Sequence, residues 1–223
     1  MATVTAPETS SGLLPRPPSL ADLQAQLQVP ADRILIRPTP GTATVADVIA
    51  IHDRENRLCE LVDGVLVEKA MGFKESRLAL VLGYILESYL ENRDLGMVLG
   101  VDGMYRLNPT LVRIPDISFI SWDQLPGREY PDEKVPSLHP DLAVEVLSAS
   151  STPAEMQQKL LDYFAAGARL VWYLDPVDRS ARVHTSTDSM TLLDETGVLE
   201  GGEVLPGFRL VIRDWFDRAL RKA

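Results

Sequence analysis

Cysteine, histidine, basic charge and long apolar runs are all scarce in this 223-residue chain, and each scarcity removes a class of function. The single cysteine, Cys59, excludes an intrachain disulfide. His52, His139 and His184 lie far apart without Cys or His partners at ligand spacing, which argues against structural zinc. No uninterrupted apolar run approaches the roughly 18 residues of a membrane helix. The N-terminus carries Pro7, Pro15, Pro17 and Pro18 but neither a basic start nor an apolar stretch, so it does not read as a secretory signal, and a cytoplasmic protein without membrane association is expected. Lysine and arginine number 22 against 32 aspartate and glutamate, a net charge of -10, which counts against non-specific nucleic-acid binding through the whole surface. A site that gathers carboxylates for divalent cations is itself acidic before the ion binds, so the charge balance leaves metal chemistry open.

What remains is an ordinary globular composition, 45% hydrophobic and 24% charged, in a chain long enough for one substantial core. Residues 1–30, rich in Pro, Ser, Thr and Ala, read as a flexible extension outside that core apart from a short helix near Leu20 to Leu27, and 31–223 as a single domain. Val45, Val48, Ile49 and His52 fit an amphipathic helix capped by Thr44 or Thr42. Leu58 to Val62 and Val65 to Lys69 form a hairpin around Asp63-Gly64. Glu75 to Asn92 reads as a largely buried helix, followed by strands over Met97 to Val101 and Met104 to Leu107. A further strand contains Asp116 and ends near Trp122, and Gln124 to Pro140 is a long loop over the sheet edge. The segment Asp141 to Leu147 is a strand, and Thr152, Pro153 and Glu155 spell a capping box for a helix that Gly167 ends. With Leu170 to Leu174 as the next strand, the order strand, helix, strand implies a right-handed parallel crossover. Short strands follow around Arg182 to Thr185 and Met190 to Leu193, then a last strand after Pro206-Gly207 and a helix from about Arg213.

The chemistry is concentrated in charges that interrupt apolar runs. Glu145 stands alone within Leu142-Ala143-Val144-Glu145-Val146-Leu147, and Asp116 repeats the anomaly within Ile114 to Ile120. Period-two alternation places Glu145 on the face of Ala143 and Leu147, opposite Leu142, Val144 and Val146. If the two strands are neighbours, the carboxylates converge, and their repulsion raises one pKa unless a cation intervenes. Mg²⁺ or Mn²⁺ would resolve the conflict and could activate a water against a phosphate. Lys159 and Tyr163, spaced i and i+4 on the crossover helix, project from one side toward the same sheet. Lys159 could orient a water or stabilise a phosphate there, as base or as charge, with Tyr163 as its auxiliary. Glu75 is a candidate third carboxylate for the metal. The structural alternatives are Asp116 initiating a strand after Pro115 or pairing with Arg113, Glu145 paired with an arginine such as Arg169, and Lys159 as a solvated helix charge. Glu60 reads as a strand-edge charge, and Trp172 and Tyr173 as core.

Taken in order, Glu60-Leu61-Val62-Asp63-Gly64, Arg113-Ile114-Pro115-Asp116, Pro140-Asp141-Leu142-Ala143-Val144-Glu145-Val146-Leu147-Ser148, the Lys159/Tyr163 pair, and Gly167 through Trp172 to Asp175-Pro176 resemble the PD-(D/E)XK nuclease superfamily. More closely, they resemble its large bacterial family of restriction-endonuclease-like proteins of unassigned substrate, over the span from Val45 to Leu210. The resemblance implies an α/β restriction-endonuclease-like core, a mixed central β-sheet flanked by helices, with Asp116 and Glu145 holding Mg²⁺ or Mn²⁺. It departs from the superfamily pattern at Leu147, where a lysine two residues after the acid is usual. Lys159 would replace that lysine from the helix, and Glu75 a histidine that many relatives carry near the start of the buried helix. The function expected is metal-dependent hydrolysis of phosphodiester bonds in DNA by an endonuclease, in which a homodimer would serve double-strand cutting. The alternative is a catalytically weak or inactive nuclease-fold protein that acts as a nucleic-acid-binding or assembly module. A two-carboxylate glycosidase would have no use for Lys159 on the crossover helix.

Overall fold

The computed structural model describes residues 19–220. Its helices are α1 (Leu20–Leu27), α2 (Val45–Glu55), α3 (Phe73–Leu90), α4 (Pro153–Ala166) and α5 (Ile212–Ala219). Its first strands are β1 (Cys59–Val62), β2 (Val65–Glu68), β3 (Gly96–Leu99), β4 (Tyr105–Asn108), β5 (Leu111–Arg113) and β6 (Ile117–Ser121). Beyond the long loop come β7 (Leu142–Val146), β8 (Leu170–Asp175), β9 (Ser180–His184), β10 (Met190–Leu193), β11 (Val198–Glu200) and β12 (Arg209–Val211).

The predicted hairpin forms because Asp63 and Gly64 both take positive φ, 48° and 75°, the two-residue turn that matches strand twist. A Cβ at Gly64 would also lie 2.5 Å from the Gly41 carbonyl carbon, so only glycine fits. The hairpin heads a four-stranded sheet in the order β2, β1, β5, β4, covered by α2 through Val48. A second, six-stranded sheet runs β10, β9, β8, β7, β6, β3. Its one parallel pair is β7 with β8, joined through α4, so this sheet is mixed as expected. One face packs Leu142, Val144 and Trp172 against α3 and α5, while the other packs Ala143, Val171 and Tyr173 against α4. The alternation inferred for the Glu145 strand is therefore the one that separates the two cores. Across the first core Trp215 donates its indole N–H to the Leu78 carbonyl at 3.1 Å, joining α5 to α3.

Two expectations are corrected. Asp116 is not inside a strand: Arg113 ends β5 in one sheet, Ile117 begins β6 in the other, and Ile114-Pro115-Asp116 carries the chain across. Pro115 explains the break, since it lacks the N–H that a continuous ladder requires. α3 is not largely buried: Leu78, Leu82 and Leu86 face the sheet, but Phe73, Leu80 and Tyr84 are exposed, because the helix lies on the sheet by one face only. Within the expected N-terminal extension 1–30, the short helix expected near Leu20 to Leu27 is present as α1. The first 18 residues lie outside the described region, but Leu23, Leu27 and Val29 are buried against Val65 and Val67 of β2.

That segment is tied down by charge as well. Arg33 donates from both terminal nitrogens to the two Glu155 oxygens, each at 2.9 Å, in a buried pair on α4. The Thr152 hydroxyl caps Glu155 N–H at 3.0 Å as predicted, but the Glu155 carboxylate turns to Arg33 instead of completing the capping box. Leu23→Ala should cost about 2–5 kcal/mol in a urea melt, the range for truncating a packed leucine. A change within about 0.5 kcal/mol, typical of surface positions, would return residues 19–30 to the status of a loose tail.

Candidate functional site: a buried ion-pair network

Glu145 points from β7 into the side of the sheet covered by α4. Lys159 and Tyr163, one helical turn apart on that helix, both donate to its Oε1, at 3.1 and 2.6 Å. Asp116 reaches the same strand from the crossing segment. Its N–H donates to the Val144 carbonyl at 2.9 Å, and its Oδ2 accepts from Val146 N–H at 2.7 Å, so it clamps the strand on both sides of Glu145. Its Oδ1 faces the Lys69 ammonium at 2.7 Å. Lys69, just past β2, also donates to the Ile114 carbonyl.

Glu60 joins the two halves. It is 0% exposed in β1, its Oε1 lies 3.1 Å from Lys159 Nζ and accepts Ile114 N–H at 3.2 Å, and its Oε2 lies 2.7 Å from Arg113 Nη1. Arg113 in turn holds Asp162 of α4 through Nε and Nη2, at 2.8 and 2.5 Å. A continuous chain thus runs from Asp162 through Arg113, Glu60 and Lys159 to Glu145, with Lys69 and Asp116 beside it. Asp116, Glu145 and Lys159 are all buried.

The network decides which groups are charged. Burial would push the Glu60 carboxyl up, but Lys159, Arg113 and Lys69 outweigh it and hold Glu60 below its ordinary value. For Glu145 burial prevails: Lys159 opposes it, Asp116 adds repulsion, and the carboxyl is raised. Burial works against the Lys159 ammonium, yet Glu145 and Glu60 more than compensate and its pKa is raised. The two carboxylates thus favour Lys159 as the ammonium. Tyr163 is pushed well up by burial and by the Glu145 and Glu60 charges, so its phenol stays a neutral donor.

The sequence-predicted residues divide cleanly. Asp116, Glu145, Lys159 and Tyr163 come together. Glu75 does not: it folds over Gly72 at the start of α3 and, among the described residues, makes no hydrogen bond or ion pair with the cluster. Of the structural alternatives, Asp116 does stand directly before β6, whereas Arg113 serves Glu60 and Asp162 rather than Asp116, and Arg169 serves Asp141 at 2.9 Å rather than Glu145. Glu60 is no strand-edge charge, and Lys69 was not anticipated at all. A signal for Glu60 existed, because it interrupts the apolar run Leu58-Cys59-Glu60-Leu61-Val62 as Glu145 interrupts its own strand. Lys69, at a strand end, offers no comparable anomaly.

Among the described residues no three His, Cys, Asp or Glu side chains are gathered to hold a metal. The donor chemistry nevertheless suits a hard divalent ion, since Asp116 and Glu145 offer carboxylate oxygens. An ammonium, that of Lys69, already stands against Asp116 as a cation. Asp116 also lines a groove of about 510 Å³ between α3 and the segment Val98 to Asp102. No lysine or arginine lines that groove.

Glu60→Gln tests the network. Because the Glu60 pKa is lowered on folding, its stabilisation is present above the ordinary carboxylate value of 4.5 and is lost as pH falls through the folded value. The variant should lose about 3–5 kcal/mol near neutral pH, as expected when one partner of a buried pair is removed. In urea melts, the difference from the wild-type protein should narrow as pH falls below 4.5. A constant difference at every pH would assign the effect to packing.

Comparison with known proteins places this network in a family. The chain is similar to a solved structure described as a putative nuclease belonging to DUF820 from Anabaena variabilis ATCC 29413, with a TM-score of 0.63 and 17% sequence identity over 73% of this chain and 91% of that one. At that identity the likeness shows the shared fold. No match is found among curated proteins. The model of the Uma2 family, described as "Putative restriction endonuclease", matches residues 45–213, a span that contains Glu60, Lys69, Arg113, Asp116, Glu145, Lys159 and Tyr163. With most of its length inside that match, this chain belongs to the Uma2 family of restriction-endonuclease-like proteins.

Proposed function

We propose that this chain is a metal-dependent endonuclease that hydrolyses phosphodiester bonds in DNA, with Asp116 and Glu145 as the residues that hold Mg²⁺ or Mn²⁺. The observation that carries this reading is the pair of hydrogen bonds by which Asp116 brackets Glu145 on β7, to the Val144 carbonyl at 2.9 Å and from Val146 N–H at 2.7 Å, which sets both carboxylates beside one strand. When bound, the ion would neutralise charge on a phosphate and lower the pKa of a water. Asp116 is preset by its two backbone hydrogen bonds to β7. Glu145 is oriented by Tyr163 and Lys159 through one oxygen, and Oε2 accepts no hydrogen bond from any described residue, which leaves that atom to ligate. Lys159 supplies fixed positive charge in place of the lysine that Leu147 displaces. Glu75 has no part in this arrangement.

A second reading, a nuclease-fold binding or assembly module without efficient cleavage, is favoured by one observation: the groove beside Asp116 carries Glu87 and Asp102 but no basic side chain to attract phosphate.

Supercoiled DNA incubated with Mg²⁺ or Mn²⁺ separates the two readings. The wild-type protein should nick it, and Asp116→Ala and Glu145→Ala should each reduce nicking by about a hundredfold or more, the scale of losing an electrostatic centre. Equal residual nicking in all three would indicate a contaminant, and the absence of nicking in the wild type would favour the binding or assembly module. Lys159→Met should abolish turnover while Mn²⁺ still binds by calorimetry, with circular dichroism confirming the fold. Undiminished turnover would remove Lys159 from the reaction.

A further inference from the structure

Lys69 has no place in the reading above, yet it makes the closest ionic contact to Asp116, with Nζ 2.7 Å from Oδ1. Both side chains are nearly solvent-free, 5% and 6% exposed, so this is not a surface pair of marginal value. A second contact, to the Ile114 carbonyl, holds the ammonium against the segment that carries Asp116 between the sheets. The Lys69 charge is also felt at Glu145 and at Glu60, which puts the ammonium within electrostatic range of all three buried carboxylates.

Carboxylates outnumber cations by one in this region. Glu60, Asp116 and Glu145 face Arg113, Lys69 and Lys159, with Arg113 shared with Asp162. Lys159 and Arg113 are each fixed between two carboxylates and cannot leave without stranding a buried charge. Lys69 alone is bound to a single carboxylate, and that carboxylate is the one bordering the open groove. Adding a divalent ion with Lys69 in place would bring two cations to one oxygen in a region of low dielectric, where their repulsion is large.

We propose that Lys69 is a built-in counter-ion of Asp116 that a divalent cation must displace in order to bind, so that Lys69 sets the metal affinity of the site. The inference rests on the assignment of Asp116 as a metal ligand. Lys69 here is a positioning residue: it holds Asp116 in place and hydrogen-bonded to β7 until the ion takes over the same oxygen.

Calorimetric titration of the full chain with Mn²⁺, in the wild type, Lys69→Met and Lys69→Gln, tests this without reference to cleavage. Lys69→Gln keeps a hydrogen-bond donor while removing the charge, so it remains informative if Lys69→Met folds poorly. Each folded variant should bind Mn²⁺ about tenfold or more tightly than the wild type, the effect of removing a competing charge. Each should also show a larger rise in melting temperature on adding Mn²⁺, because its Asp116 has lost its counter-ion. Binding by the variants but not by the wild type would support the proposal in its strongest form. Equal or weaker binding by the variants, with the wild type binding, would overturn the role of Lys69 and leave Asp116 as a ligand. Absence of binding in all three proteins would overturn both.

Discussion

Glu60 sits between Arg113 and Lys159 with no access to water, and that one buried carboxylate links parts of the fold that share no strand pairing. It belongs to β1 of the four-stranded sheet, whereas Lys159 and Asp162 belong to the helix that covers the six-stranded sheet. Neither side could keep its charge alone, since an unpaired buried ion costs several kcal/mol even after relaxation. The two sheets are thus held in a fixed relation at the point where the chain crosses between them, at Ile114-Pro115-Asp116. The position of Asp116 beside β7 follows from that relation.

The same network limits the chemistry that its members can perform. Two carboxylates favour Lys159 as a cation, and burial beside them favours Tyr163 as a neutral donor. Glu145 is the exception. Its pKa is raised first by burial, with Asp116 adding repulsion that Lys159 opposes. Asp116 shares that region but is shielded by Lys69, so the two acids differ in how readily they meet an incoming ion. The groove that Asp116 lines is apolar and acidic, with Glu87 and Asp102 but no lysine or arginine.

Much of the architecture was legible from local patterns. The Asp63-Gly64 turn, the Thr152-Pro153 helix start, the Gly167 stop and the alternation around Glu145 are short-range signals that tertiary contacts did not override. The break at Pro115 was legible in principle, but Asp116 was read as part of one strand because the apolar residues on both sides run on without a turn signal. The burial of Leu23, Leu27 and Val29 was hidden by a composition that resembles a tail, and the exposed side of α3 was hidden by an apolar sequence that resembles a core helix. In both cases the deciding factor was which neighbouring surface was available to cover the segment, and composition does not carry that information.

The sequence by itself determined that this chain carries charges where an apolar strand should have none, and the order of its motifs pointed to the family to which it belongs. Anomalous residues in a strand declare themselves because alternation of period two leaves a carboxylate no route to solvent from a covered face. Only the tertiary structure decided how those charges are partnered: that Glu60 joins the network, that Glu75 does not, that Arg113 serves Asp162 and not Asp116, and that Lys69 stands at Asp116. The physical reason is distance. Ion pairs form over a few ångströms between residues that can be a hundred positions apart, and the relative placement of two sheets, which no local pattern encodes, determines which of them meet.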